Sequence, residues 1–377
     1  MITSADTYKK LSKEITSRMI DDRSILDRLR EEIRPLKNRT QRILPRTTTA
    51  VSLVGTDGGN SQLRFDPFLV QIVRVVDSSN NEYCLEVITP STNIAQLAAR
   101  QFAEHTALGD MMSYLGVSTL PQLSQMIRPA GTGGAASPTW VQAYRELIEW
   151  AVLFRVVRTK DFATDTLIVF DGLLRSKVFA GELFTRYRAG LEEAISKQAR
   201  QGRKLYIVGL AKKSKVLTRY ALAMALEGVL ATDYPAFVEI DREIEERVYV
   251  SADYARGDDN IHPPGAINKY VGGKMFFVKF GARPRDPIWP VDIFLSQLAD
   301  AQKIIGYLLA DAINGFPVPL YPQCLQRAHE NAALVDFDYD VLQDQIFEGL
   351  RTALVGEERI LDVFRLRDAD PAQSRYG

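Results

Sequence analysis

Cysteine is nearly absent from this 377-residue chain: Cys84 and Cys324 stand alone and far apart, which excludes a disulfide framework and a zinc cluster built on several thiolates. Histidine is almost as scarce, with only His105, His262 and His329. No run approaches the ~20 apolar residues that a membrane span needs. The first residues, MITSADTYKK, lack the apolar core of a secretion signal. Net charge is missing too, since 47 Lys and Arg balance 47 Asp and Glu, so overall charge argues for neither nucleic acid nor an acidic partner. These absences predict a soluble chain in a reducing compartment, with cytoplasmic localisation and no membrane partner. At 46% hydrophobic residues there is ample material for a large core in one big domain or two.

What is present is organised around Thr166 to Leu174, TLIVFDGLL, an apolar strand that runs into Asp171 and Gly172 and stops. Ala50 to Gly55 repeats the arrangement, leading into Thr56, Asp57, Gly58 and Gly59. Two strand-end aspartates, each followed by glycine, predict acids gathered at one sheet edge. Clustered carboxylates repel one another and call for a cation, and hard divalent metals held through oxygen suit them.

The rest of the chain frames these strands. From Asp6 to Arg34, Leu11, Ile15, Ile25, Leu26, Leu29 and Ile33 recur at helical spacing before Pro35, which predicts one long amphipathic helix. Residues 50 to 90 read as an antiparallel meander with a turn at Asp77 to Asn81. Helices are expected from Asn93 to Leu115, Leu120 to Ile127, Thr139 to Arg158, Val178 to Arg200, Val216 to Leu230, Asp292 to Ala312 and Tyr339 to Leu354. Strands are expected at Lys204 to Leu210, Phe237 to Ile240, Glu246 to Val250 and Lys274 to Phe280. Residues 129 to 138 and 251 to 273 read as loops, the second a mobile one near the functional edge, and 368 to 377 as a disordered tail. The alternation of strand and helix after Asp171 predicts an α/β fold.

Several residues carry a chemical reading beside a plainer one. Asp57 with Gly58 and Gly59 serves equally as a metal ligand or as an Asp-Gly hairpin turn. Asp171 ends a strongly apolar, central strand, and strand ends are where α/β sheets place active sites. Glu146 and Glu149 lie about one helical turn apart on the helix feeding that strand, and spacing alone does not choose between them. A lone helix histidine is more often structural, yet His329 follows Tyr321 and Pro322 and is able to complete a carboxylate site or move a proton. Two basic runs, Lys37, Arg39, Arg42, Arg46 and Lys212, Lys213, Lys215, Arg219, are solvated faces or phosphate contacts.

The order of these motifs resembles the NurA nuclease family. It is carried by the first strand with its Asp-Gly step, Arg145 to Glu149 as Arg-x-x-x-Glu, VFDGLL, YIVGLAK and Tyr321 to His329 as YPxxLxxAH. The resemblance covers roughly residues 50 to 335. It implies a ribonuclease-H-like mixed sheet flanked by helices, with an N-terminal helical extension over 1–46, a nuclease domain over 47–356 and a tail over 357–377. It further implies a Mn²⁺- or Mg²⁺-dependent deoxyribonuclease with two ions, acting on single-stranded ends and 5′ to 3′ on duplex. The implied partners are DNA, a second copy in a homodimer, and the hexameric translocase HerA in DNA end resection, repair or defence. Carried over, Asp57, Glu149, Asp171 and His329 are the metal positions, Tyr321 the active-site tyrosine and Lys212 the adjoining cation. Gly59 stands where the family's Asp-Gly-Ser has serine, with Ser61 two positions on, which touches a hydroxyl contact and leaves the ligands in place.

Two other functions fit parts of the chain. An actin-like ATP-binding phosphotransferase also begins with strand, aspartate and glycine-rich hairpin such as TDGGNSQ, but needs a second phosphate hairpin. An inactive adaptor loading a motor on DNA would not need all four ligands.

Overall fold

The computed structural model describes residues 5–46, 52–65, 68–89, 91–128, 140–250, 269–333 and 336–353. They form a mixed sheet flanked by helices with helices at the N-terminus, as the sequence predicts. The chain divides into two compact units, one of Met1–Thr56 with Leu153–Arg327 and one of Asp57–Val152 with Ala328–Gly377.

The first unit holds α1 (Ala5–Asp21), α2 (Arg23–Ile33), β1 (Gln41–Arg42), the start of β2 (Ser52–Phe65), β5 (Thr166–Asp171), α7 (Leu183–Arg200), β6 (Leu205–Leu210), α8 (Lys215–Glu227), β7 (Ala236–Glu239), α9 (Arg242–Val250), β8 (Gly273–Lys279), β9 (Ile288–Phe294) and α10 (Ala301–Ala312). Its strands run in the order β1-β7-β8-β9-β6-β5-β2. β2, β5 and β6 are mutually parallel, while β9, β8, β7 and β1 follow antiparallel. Period-2 alternation sorts the β8 side chains to two cores. Phe276 and Val278 join Leu167, Val169, Val208 and Val291 under α10, and Met275 and Phe277 join Val216, Tyr220 and Met224 of α8 with Ile33 of α2. Cover on both faces is why β5 and β6 read as unbroken apolar runs.

In the second unit the rest of β2, β3 (Phe68–Asp77) and β4 (Glu82–Ile88) lie in that order. β3 and β4 pair antiparallel around a turn fastened by Asp77, whose carboxylate accepts from Ser79 N at 2.8 Å and Asn81 N at 2.9 Å. Then come α3 (Ile94–Ala103), α4 (Ala107–Leu115), α5 (Leu120–Leu123), most of α6 (Val141–Thr159), the end of α11 (Gln323–Ala332) and α12 (Asp336–Ala353). Gln101 joins Glu86 on β4 at 2.9 Å to Tyr144 on α6 at 3.2 Å.

Five sequence expectations are corrected. The helix read over Asn93 to Leu115 is α3 and α4, parted at Glu104 to Thr106. The N-terminal helix is two helices parted at Asp22. α2 buries Leu26, Leu29 and Ile33 against α8, whereas Tyr8, Leu11, Ile15 and Met19 of α1 are exposed. Glu246 to Val250 is helix, because Ile244 and Val248, four apart, are both buried, and Glu243 and Glu245 favour a first helical turn. Asp292 to Ala312 begins as strand and a 3₁₀ turn, with α10 starting only at Ala301. Val291 and Ile293 face one core while Asp292 between them turns away, which is strand periodicity. Finally, β2 continues through Asp57 to Phe65, so Asp57 is neither at a strand end nor in an Asp-Gly turn. The expected loops at 129–138 and 251–268 and the tail 368–377 lie outside the described residues.

Candidate active site

β5 is buried along its length until Asp171, the first residue to reach partial exposure. The chain then turns on Gly172 at φ +132°, a conformation that L side chains rarely adopt. Gly172 N donates to Leu210 O at 2.9 Å, and the turn rests on Gly209 of β6, where a Cβ would come within 2.5 Å of Gly172 O. Two glycines thus let a tight turn lie against the neighbouring strand and fix the carboxylate at its start.

Two side chains converge on that carboxylate. The last rung of the β5–β6 ladder pairs Asp171 with Leu210, so Lys212 follows immediately, and its Nζ lies 4.0 Å from Asp171 Oδ2. Tyr321, buried just before α11, donates from its hydroxyl to Asp171 Oδ1 at 3.5 Å. Lys212 Nζ also sits 5.8 Å from the Tyr321 ring centre, a cation-π distance. Trp289 of β9 meets the Tyr321 ring edge-on at 4.9 Å and donates from Nε1 to Leu320 O at 2.7 Å.

Behind the turn lies a buried charge network. Arg175 forks onto Asp292, Nε to Oδ2 at 2.8 Å and Nη2 to Oδ1 at 2.5 Å, and reaches Glu245 Oε2 at 2.7 Å. Arg242 donates to the same Glu245 oxygen at 2.9 Å. Both carboxylate side chains are 0% exposed. Burial pushes the Asp292 carboxyl above its ordinary value, and the Arg175 guanidinium opposes that. The loop backbone is pinned as well, by Gly272 N to Leu174 O at 2.7 Å and Ser176 N to Tyr270 O at 3.0 Å.

The structure therefore brings Asp171, Lys212 and Tyr321 together. Glu149 and His329 belong to the second unit. Glu149 on α6 is paired with Arg145 at 3.2 Å, Glu146 accepts from Trp150 Nε1 at 3.3 Å, and His329 is exposed on α11. The side chain of Asp57 lies outside the described residues. Among the described residues no group of three or more His, Cys, Asp or Glu side chains gathers at a metal's reach. The described oxygens at this point are the Asp171 carboxylate and the Tyr321 hydroxyl, hard donors of the kind Mg²⁺ and Mn²⁺ take. Burial pushes both cysteine thiols up, so neither is a ready nucleophile.

No family model and no curated protein matches this chain. Solved structures do. The chain is similar to NurA nucleases. The NurA nuclease from Sulfolobus solfataricus is 14% identical, with a TM-score of 0.41, over 94% of this chain and 99% of that one. A NurA structure with manganese is 13% identical, TM-score 0.40, over 93% of this chain and 99% of that one. One bound to dAMP and manganese is 9% identical, TM-score 0.39, over 88% and 94% respectively. Likeness this distant assigns no ligand or activity, which must come from the residues themselves.

Sequence reasoning missed Trp289 and the Arg175–Asp292 pair. IWPVDIF carries an alternating strand pattern that would have found β9, and with it an aromatic and an acid on opposite faces.

Proposed function

We propose that this chain is a divalent-metal-dependent deoxyribonuclease. One observation carries the reading. The parallel β2–β5 ladder pairs Thr56 with Phe170, and the next residue on each strand is an aspartate, Asp57 and Asp171. Lys212 and Tyr321 attend the second of them at 4.0 and 3.5 Å.

Asp57 and Asp171 would hold the cation; Glu149 and His329 enter as further donors through the family motifs alone. Bound there, a divalent ion supplies a Lewis acid that makes water acidic enough to attack a phosphodiester. In the hydrolysis the water oxygen joins phosphorus, one P–O ester bond breaks, and the leaving oxygen takes a proton. Lys212 offsets the negative charge that builds on the phosphoryl oxygens. Tyr321 holds Asp171 through Oδ1 and is itself set by Trp289, so the carboxylate is oriented before substrate arrives. The finer reading includes Mn²⁺ or Mg²⁺ in two sites, single-strand endonuclease and 5′-to-3′ exonuclease modes, and a cytoplasmic role in end resection, repair or defence. It also includes a homodimer and a HerA-type hexameric translocase as partners, for which the exposed apolar stripe of α1 offers a surface.

The test is degradation of end-labelled DNA with Mn²⁺ or Mg²⁺, with chelator as the control. Asp171→Asn and Asp57→Asn are each expected to abolish cleavage while leaving thermal unfolding unchanged or slightly improved, since each relieves carboxylate repulsion. Cleavage retained in either variant, or none by the parent with or without the motor, refutes the proposal.

A further inference from the structure

The segment between α10 and α11 combines a stiff backbone with an apolar surface. Pro317, Pro319 and Pro322 lack N–H groups and fix their own φ. Two of the remaining donors are taken from within, Phe316 N by Gln323 Oε1 at 2.8 Å and Val318 N by Gln326 Oε1 at 2.8 Å. The carbonyls of Val318 and Tyr321 each accept from Gln326 Nε2 at 2.9 Å, and Leu320 O accepts from Trp289. Gly315 packs so closely that a Cβ would stand 2.3 Å from Tyr321 O. This scaffold turns its apolar side chains outward: Phe316 is 75% exposed, Ile313 59% and Val318 46%.

Exposing a phenyl ring forgoes the stabilisation that burial brings, and a rigid backbone holds it out instead of letting it fold back. The patch amounts to three side chains, a few hundred Å² at most, against roughly 800 Å² per partner in a stable protein interface. A single flat ring with satisfied polar groups behind it suits a nucleobase, which presents a π-face whatever its identity. The loop ends in Tyr321, which touches Asp171 and lies beside Lys212, so the exposed ring stands on the same segment, five residues before the residue that reaches the candidate site.

We propose that Phe316, flanked by Ile313 and Val318, is a stacking platform for an unpaired base of the substrate strand next to the candidate active site. This rests on the nuclease reading, and names unstacked, single-stranded DNA as what the site engages.

The experiment measures binding in chelator, where nothing is cleaved. The probes are a thymidine oligonucleotide and an abasic oligonucleotide of equal length, with the parent chain, Phe316→Ala and Phe316→Trp. Phe316→Ala is expected to weaken thymidine-oligonucleotide binding by about tenfold and leave abasic binding unchanged. Fluorescence of Phe316→Trp is expected to be quenched by the thymidine strand beyond the change in the parent, and not by the abasic one. Equal affinities for Phe316→Ala and the parent, or quenching that does not depend on bases, overturn the platform, as does a change confined to self-association, which would mark a protein contact. Loss of base-dependent binding with cleavage in the parent intact would support it. Cleavage without any base dependence would sink it and spare the nuclease reading, and base-dependent binding without metal-dependent cleavage would do the reverse.

Discussion

Removing the Arg175 guanidinium tests how the turn after Asp171 is held. Arg175→Met keeps most of the side-chain volume but leaves Asp292 and Glu245, both 0% exposed, without their shared fork. Stripping one partner from a buried ion pair costs about 3–5 kcal/mol, because the remaining charge stays out of water. At about 2–4 °C per kcal/mol for a body of this size, the melting temperature should fall by about 10 °C. The loss should depend on pH. Burial already raises the Asp292 carboxyl, and the variant removes the opposing guanidinium, so the native state binds that proton more tightly than the unfolded chain. Stability then falls as pH rises from the ordinary Asp value of 3.8 toward the raised one, and the deficit shrinks on acidification. Combining Arg175→Met with Asp292→Leu and Glu245→Met removes the three buried charges together, leaving the more exposed Arg242 with Glu246, and should return stability to the parent's or above. Calorimetry of parent, single and triple variants at pH 5 and 8 decides the matter. A single variant melting within about 2 °C of the parent, or a triple variant as damaged as the single, would refute the reasoning.

Glu149→Gln should reduce cleavage far more than Glu146→Gln, because the first belongs to the Arg-x-x-x-Glu motif while the second holds Trp150; equal effects in the same DNA assay would put the wrong face of α6 in the site. The Glu227 carboxyl, clasped by Arg34 and Arg30, is held down to about 2 from 4.5, so its contribution to docking α2 on α8 is complete above the ordinary value and lost as pH falls through that window. Protection of the α2 amides, corrected for the intrinsic exchange rate at each pH, should therefore fall between about pH 4.5 and 2, and Glu227→Gln should show the acid-state protection at neutral pH. Deleting residues 1–21 should leave thermal stability unchanged, since α1 buries little, whereas deleting 1–34 takes Ile33 from the core and should lower it; equal melting of both truncations would contradict the packing of α2.

Much of this was legible in the chain itself. TLIVFDGLL announced a central strand because both of its faces are covered, whereas the lysine after YIVGL stood only in a basic run and took its place beside Asp171 through the family resemblance. β9 was legible in the alternation of IWPVDIF but was read as helix from Asp292 on, because the partner that justifies burying that acid is a guanidinium more than a hundred residues earlier in the chain. α9 likewise buries an acid, Glu245, that looks solvent-seeking until Arg175 and Arg242 meet it. Asp57 misled through local turn chemistry, since the Asp-Gly step sits inside a strand that continues to Phe65. The grouping of Tyr321 with Asp171 was reached through family resemblance, not through periodicity, because a contact across such a distance in sequence leaves no local signal.

The order in which the sheet is assembled has a consequence for the living chain. β5 lies between β2, made near the start, and β6, whose far neighbour β9 ends only at Phe294. A ribosome must therefore release most of the polypeptide before the strand bearing Asp171 has a complete sheet around it, and closure over such separations is slow. Until Tyr321 emerges, the carboxylate has no hydroxyl to orient it. A nascent chain is in this way kept without its proposed cutting centre until the segment bearing Tyr321 has emerged.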